Sequence, residues 1–273
     1  MDRYARMFER LALQRQGAFI PFVMVGDPDI PTSLDIMRAL IRGGADALEL
    51  GLPFSDPVAD GPVIQAAAVR TLAGGVRISD CLEALRTLRE EHPDVPFGLL
   101  TYANLVFHDG IASFYQRVAR AGVDSVLVAD VPVREAGPFA TAAAQEGVAP
   151  VLIATPNADA ERLAAVAAAS RGYVYVVSRS GVTGAEETVR HEPEAVFRQL
   201  REMNAAPGVL GFGISTPAQV RAALAMGAAG AISGSAIVRR IADGLGDVPA
   251  LLGDLETFVR EMKAATAPEY DVA

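Results

Sequence analysis

Eight short apolar runs, separated by stretches of helical periodicity, pattern this chain from end to end. The runs are AFIPFVM (18–24), DALELGL (46–52), FGLLTY (97–102), SVLVAD (125–130), APVLIA (149–154), YVYVVS (173–178), VLGFG (209–213) and AGAISG (229–234). Each has the length of a strand. Between them lie segments such as TSLDIMRALIRGG and TPAQVRAALAMGA, with apolar residues at helical spacing and Thr or Ser at the expected N-cap. Strands that alternate with helices predict an α/β fold with a parallel sheet, and eight is the number that closes a (β/α)8 barrel. An open doubly wound sheet is the alternative. Against it, no GxGxxG turn follows the first run.

Three segments, GGADALELG, AGVDSVLVAD and MGAAGAISGS, echo one another, each passing from a helix end through Gly into a strand. Glycine just past a helix relieves a left-handed backbone. Any α/β protein repeats such joints, so the echo supports the class more than the barrel. No domain boundary is visible, and residues 1–273 read as one catalytic barrel. The opening MDRYARMFERLALQRQ reads as an extra amphipathic helix with Tyr4, Met7, Phe8 and Leu11 on one face. The second run is followed by a long loop and two helical segments, PVIQAAAVRTLAGG and SDCLEALRTLREEH. The sixth is followed by the polar loop RSGVTGAEETVRHEP. In a barrel both extended loops stand on the C-terminal face, where active sites lie.

The formal charge of −9 argues against nucleic acid or an anionic membrane surface as a partner. An anionic substrate would need local groups to hold it. The single cysteine, Cys81, permits no internal disulfide, and His92, His108 and His191 lack metal-ligand spacing. Mixed charges at the N-terminus do not resemble a secretory segment, and no apolar run reaches the length of a membrane span. The expected setting is soluble and cytoplasmic.

Glu49 is the sharpest chemical signal. Alternation in DALELGL puts Leu48, Leu50 and Leu52 toward the helices and Ala47, Glu49 and Gly51 toward the barrel interior. None of the eight runs contains Lys or Arg to pair with it. A buried, unpaired carboxyl raises its pKa, which suits a general acid or base near neutral pH. Asp60 lies in a loop stiffened by Pro53, Pro57 and Pro62; from spacing alone it is equally a turn former or a positioned side chain. Two glycine turns, GFGIST (211–216) and SGSAIV (233–238), end the last two runs just before helix starts, and GVTG (181–184) offers another N–H. Backbone N–H groups there can bind a phosphate in a negatively charged protein, or the glycines simply turn the chain. Phe22, Leu100, Tyr102, Ala129, Ile153, Tyr175 and Phe212 fall near C-terminal strand ends, as pocket wall or as the top layer of core.

Over its whole length the sequence resembles the tryptophan synthase alpha chain family. LELGLPFSDPVADGPVIQ is similar to that family's signature, and LLTYANLVF, SRSGVTGAE, GFGIS and GAISGSAIV match its other hallmark segments in order. The resemblance implies a TIM barrel that cleaves indole-3-glycerol phosphate to indole and glyceraldehyde 3-phosphate by a reverse aldol reaction. It implies Glu49 as acid–base catalyst and Asp60 as partner of the indole N–H. Gly184, Gly213, Gly234 and Ser235 fall on phosphate-binding positions; Phe22, Leu100, Ala129, Ile153 and Phe212 fall on the indole pocket. Tyr175 lines the site, and Thr183 belongs to a loop that approaches Asp60 on closure.

The resemblance further implies no cofactor in this chain. Its partner is a tryptophan synthase beta chain, which carries its own pyridoxal phosphate, in an alpha2-beta2 complex. Asp56 suits the rim that meets this partner. In YANLVFHDG, read as a loop, Leu105, Val106 and Phe107 either offer an apolar patch or pack under the neighbouring helix. Thr101, Arg134 and IATPNA (153–158) depart from the commoner pattern without touching the two carboxylates. Two rivals are a different phosphate-sugar barrel and a binding module without turnover; the intact Glu49 and Asp60 argue against the second.

Overall fold

The computed structural model describes residues 2–178 and 193–267. Nine parallel strands form it: β1 (Ala18–Met24), β2 (Leu48–Gly51), β3 (Phe97–Thr101), β4 (Ser125–Val128), β5 (Ala149–Pro150), β6 (Ile153–Ala154), β7 (Val174–Val177), β8 (Gly208–Gly211) and β9 (Gly230–Ser233). They pair in the order β5-β4-β3-β2-β1-β9-β8-β7-β6. The two ends of that order are consecutive in the chain. The fifth predicted run is thus one extended segment whose first half pairs with β4 and whose second half pairs with β7. Between them, Val151 donates its N–H to Val126 (3.0 Å) and Leu152 accepts from Tyr175 (3.0 Å). The sheet closes on itself as a barrel of eight staves, one of them split.

The helices are α1 (Arg3–Leu13), α2 (Ile30–Arg42), α3 (Pro62–Ala73), α4 (Ile78–Glu91), α5 (Ala103–His108), α6 (Ile111–Arg120), α7 (Gly137–Gln145), α8 (Ala160–Ala169), α9 (Pro193–Glu202), α10 (Pro217–Ala225), α11 (Ser235–Gly244) and α12 (Val248–Ala264). Thr216 caps α10 as expected, accepting from the Gln219 N–H (3.3 Å). For α2 the cap is Asp29, three residues before Thr32, where the predicted segment starts. It accepts from the Thr32 N–H (2.8 Å), while Pro31 fills the first turn. The echoed glycines Gly44, Gly122 and Gly227 all have positive φ, at +103°, +80° and +95°, so each joint turns the chain in the same left-handed way.

Apolar side chains divide into two layers. Leu48, Leu50 and Leu52 join the layer between sheet and helices. Ile20, Phe22, Ala47, Tyr173, Tyr175, Val209 and Ile232 fill the interior, closed from below by Tyr4, Met7 and Leu11 of α1. Two acids inside the echoed joints fasten this floor. Asp46 accepts from the Phe19 N–H (3.0 Å) and from Arg10 (3.2 Å), and it pairs with Lys263 (2.8 Å). Asp124 repeats the pattern with the Phe97 N–H (2.7 Å), Arg3 (2.8 Å) and Arg89 (2.7 Å). In both sites α1 supplies one of the two cations.

Candidate active site

β2 carries Glu49 into the barrel between Phe22 of β1 and Gly98 of β3, its Cα partners on either side. The residue is 2% exposed. Its neighbour below is an uncharged hydroxyl: Tyr173 donates to Glu49 Oε1 (3.1 Å). The Tyr173 ring packs on Tyr4 of α1 with centroids 5.4 Å apart, and Tyr4 shares a 2.9 Å hydrogen bond with Ser125 Oγ. Burial pushes the Glu49 carboxyl up to about 8; the Tyr173 hydrogen bond opposes this, and the charge of Asp60 adds to it. An acid of this strength holds and releases a proton near neutrality.

Asp60 precedes α3 in the loop that leaves β2. Its N–H donates to Pro57 (3.0 Å), and its carbonyl accepts from Gln65 Nε2 (2.8 Å), so the backbone on both sides is tied. Tyr102, stacked near Phe54 at 5.4 Å, receives the Ala59 N–H through its hydroxyl (3.2 Å). Partial burial raises the Asp60 carboxyl to about 6, against a lowering hydrogen bond from Tyr102. Among the described residues neither carboxyl draws on a cation: the influences on each are burial, a tyrosine hydroxyl and, for Glu49, the other acid.

Around the carboxylates stand the residues read as a wall. Phe22 and Tyr175 are buried in the interior cluster, with Leu100, Ala129, Ile153 and Phe212 packed against it. The Tyr175 hydroxyl is raised well above its ordinary range, first by burial and then by the charges of Glu49 and Asp60. Its ring has room because position 211 is glycine: a Cβ there would stand 2.1 Å from the ring carbon Cζ.

At the ends of β8 and β9 the glycine turns differ in kind. Gly213 has φ +75°, and Phe212 before it is held at φ +102°, a strained region for a residue with a side chain. Gly234 has ordinary φ (−106°) and caps α11, which opens on Ser235. The first N–H groups of that ten-residue helix have no intrahelical partner and favour an anion. Thr183 and Gly184 lie outside the described residues.

One expectation is corrected. YANLVFHDG does not run as a loop; Ala103–His108 forms the short helix α5. Val106 is turned fully inward, Leu105 packs partly against the core, and Phe107 is 56% exposed. The apolar patch is therefore narrower than the sequence suggested. Phe107 meets Phe139 edge-on at 5.6 Å, and Val58 in the Asp60 loop is 71% exposed. Tyr173 was missed as the partner of Glu49, though a signal existed: it alternates with Tyr175 in YVYVVS and so shares its inward face. Among the described residues, no group of three or more His, Cys, Asp or Glu side chains converges as a metal site.

A family model described as tryptophan synthase alpha chain matches residues 8–267. The chain belongs to this family. It is 55% identical over 268 residues to the tryptophan synthase alpha chain of Cronobacter sakazakii, covering 98% of this chain and 100% of that one. Identity to the relative from Yersinia pseudotuberculosis is 56% over 266 residues, covering 97% and 99%. The fold is similar to solved structures of tryptophan synthase subunit alpha from Legionella pneumophila (TM-score 0.86, 30% identity, covering 97% and 98%) and of Mycobacterium tuberculosis tryptophan synthase (0.87, 31%, covering 98% and 99%). As a tryptophan synthase alpha chain, the protein is a lyase of tryptophan biosynthesis that cleaves indole-3-glycerol phosphate.

Proposed function

We propose that Glu49 and Asp60 divide the chemistry of this cleavage between them. Breaking the bond from indole C3 to the glycerol chain needs a proton delivered to C3 and another removed from the hydroxyl that becomes the aldehyde. A carboxyl poised near neutrality serves both steps in turn, first as acid and then as base. As C3 becomes tetrahedral, positive charge grows on the ring nitrogen, and the Asp60 carboxylate stabilises it. Phe22, Leu100, Tyr102, Ala129, Ile153, Tyr175 and Phe212 enclose the indole. Backbone N–H groups at Gly184, Gly213, Gly234 and Ser235 hold the phosphate, with Thr183 contributed by the loop after β7. The observation that carries this reading is a buried Glu49 with no cation beside it among the described residues, its carboxyl raised to about 8, near a second raised carboxyl at Asp60.

The chain acts as one catalytic barrel in the cytoplasm. It works with a tryptophan synthase beta chain, which supplies its own pyridoxal phosphate; the alpha reaction uses no cofactor. Contact falls on Asp56, Leu105 and Phe107, where exposed Val58 and Phe107 mark the catalytic face. The test is indole release from indole-3-glycerol phosphate by Glu49→Gln. A fall of at least about 10²-fold with the fold intact supports the assignment, and near-normal release removes Glu49 from it.

A further inference from the structure

Besides Glu49, another carboxylate is buried near the catalytic end of the barrel. Asp27 follows β1 and is 2% exposed. Unlike Glu49 and Asp60 it has a cation among the described residues. Arg70 of α3 grips it with two parallel hydrogen bonds, Nε to Oδ1 and a terminal nitrogen to Oδ2, each 2.6 Å. Such a fork fixes the direction of the guanidinium as well as its distance.

The turn that holds Asp27 is itself rigid. The Gly26 N–H donates to Ser33 Oγ (2.9 Å), and the Asp27 N–H bonds back to Met24 (3.3 Å). That turn and the end of α3 meet without spare space. A Cβ at Gly26 would come within 2.7 Å of Val76 and 3.2 Å of Thr71, and one at Gly74 within 3.1 Å of the Pro28 carbonyl. α3 begins at Pro62, two residues after Asp60, and its first turn is bonded back to the loop by Gln65. Arg70 lies eight positions further on, about 12 Å along the axis. A helix is stiff over that length, so gripping one end sets where the other points.

We infer that Arg70, clamped by Asp27, is a positioning residue that holds α3, and through it the Asp60 carboxylate, in register with Glu49. Arg70 touches neither carboxyl of the catalytic pair. It acts by fixing the helix that the Asp60 loop enters, against a turn rooted in β1, which also carries Phe22. The inference rests on the assignment of Asp60 to the reaction.

Arg70→Lys keeps the charge and loses the fork. Its kcat for indole release should fall about tenfold with KM changed less than about threefold, because a displaced catalytic group costs turnover more than binding. Asp27→Asn should do the same. Arg38→Lys, which breaks a comparable fork to Glu91 on the exposed face of α2, should change neither constant. The deciding measurement places Arg70→Lys in an Asp60→Asn background. If Arg70 acts through Asp60, its effect on kcat shrinks there to less than about twofold, since the group it positions is gone. A full tenfold loss in that background, or a loss in KM alone, overturns the inference. Near-normal turnover by Asp60→Asn alone would overturn the assignment of Asp60 instead. Melting curves on each variant confirm that folded protein is compared.

Discussion

The floor and the catalytic end of this barrel both bury carboxylates, and they treat them in opposite ways. Asp46 and Asp124 at the floor each receive a backbone N–H and two cations. Glu49 and Asp60 receive tyrosine hydroxyls and, among the described residues, no cation. A cation beside an acid ties elements together; an acid buried without one is pushed toward keeping its proton, as at Glu49 and Asp60. Asp27 shows that the catalytic end can supply a cation where an acid is structural. Among the described residues, the lack of a cation at Glu49 is therefore a property of that site and not of the region.

The largest contrast should appear in turnover. Glu49→Gln is expected to lose at least about 10²-fold in indole release, whereas Asp46→Asn, measured on its folded fraction, should keep kcat within about threefold. Denaturation should then invert the ranking. Asp46→Asn leaves the part-buried Lys263 without its carboxylate, while the half-exposed Arg10 turns to water, and should cost about 1–3 kcal/mol of stability, read from urea midpoints.

Glu49→Gln should instead stabilise the chain. In the folded protein Glu49 keeps its proton to about pH 8, while its ordinary value is 4.5. Between those limits the folded state binds a proton that the unfolded state releases, so stability falls as pH rises. Glutamine has no such proton. The variant should gain about 2–4 kcal/mol over the parent at pH 8 and little at pH 5. A gain independent of pH would mean that Glu49 is not held protonated.

The same values shape the rate. With Asp60 needed as carboxylate and Glu49 needed first as acid, kcat/KM should peak between about pH 6 and about pH 8. It should fall about tenfold per unit on either side, the limbs belonging to the pair jointly. The smallest effect is at the surface. Phe107→Ala should weaken association with a beta chain about tenfold in sedimentation and leave the solitary chain's indole release unaltered.

Much of this was legible in the chain. The alternation around Glu49 was decisive because the strand period is two and the leucines leave one choice of face. The barrel was legible from eight runs, though not the split of 149–154, which depends on which neighbour each half meets. What escaped was tertiary. Tyr4 reaches the underside of Tyr173 only because α1 docks across the floor. Arg70 and Asp27 are 43 positions apart, and neither residue type marks its sequence as unusual. The α5 segment was misjudged because six residues give too little periodicity to separate a short helix from a loop.

The way the barrel closes sets the order in which it can be built. β1 lies between β2, the next strand made, and β9, the last. The Gly17 N–H bonds to Thr266 and the Gly17 carbonyl to Lys263, at 3.1 Å and 3.0 Å. Lys263 also completes the cation set of Asp46. During synthesis α1 and β1 thus wait, with one flank of β1 unpaired, for residues about 210 to 250 positions later. Loops of that length close slowly, and an unpaired strand edge invites other chains meanwhile. Of the nine strands described, β1 waits longest for its second neighbour, and it is where a holding chaperone would have the most time to act.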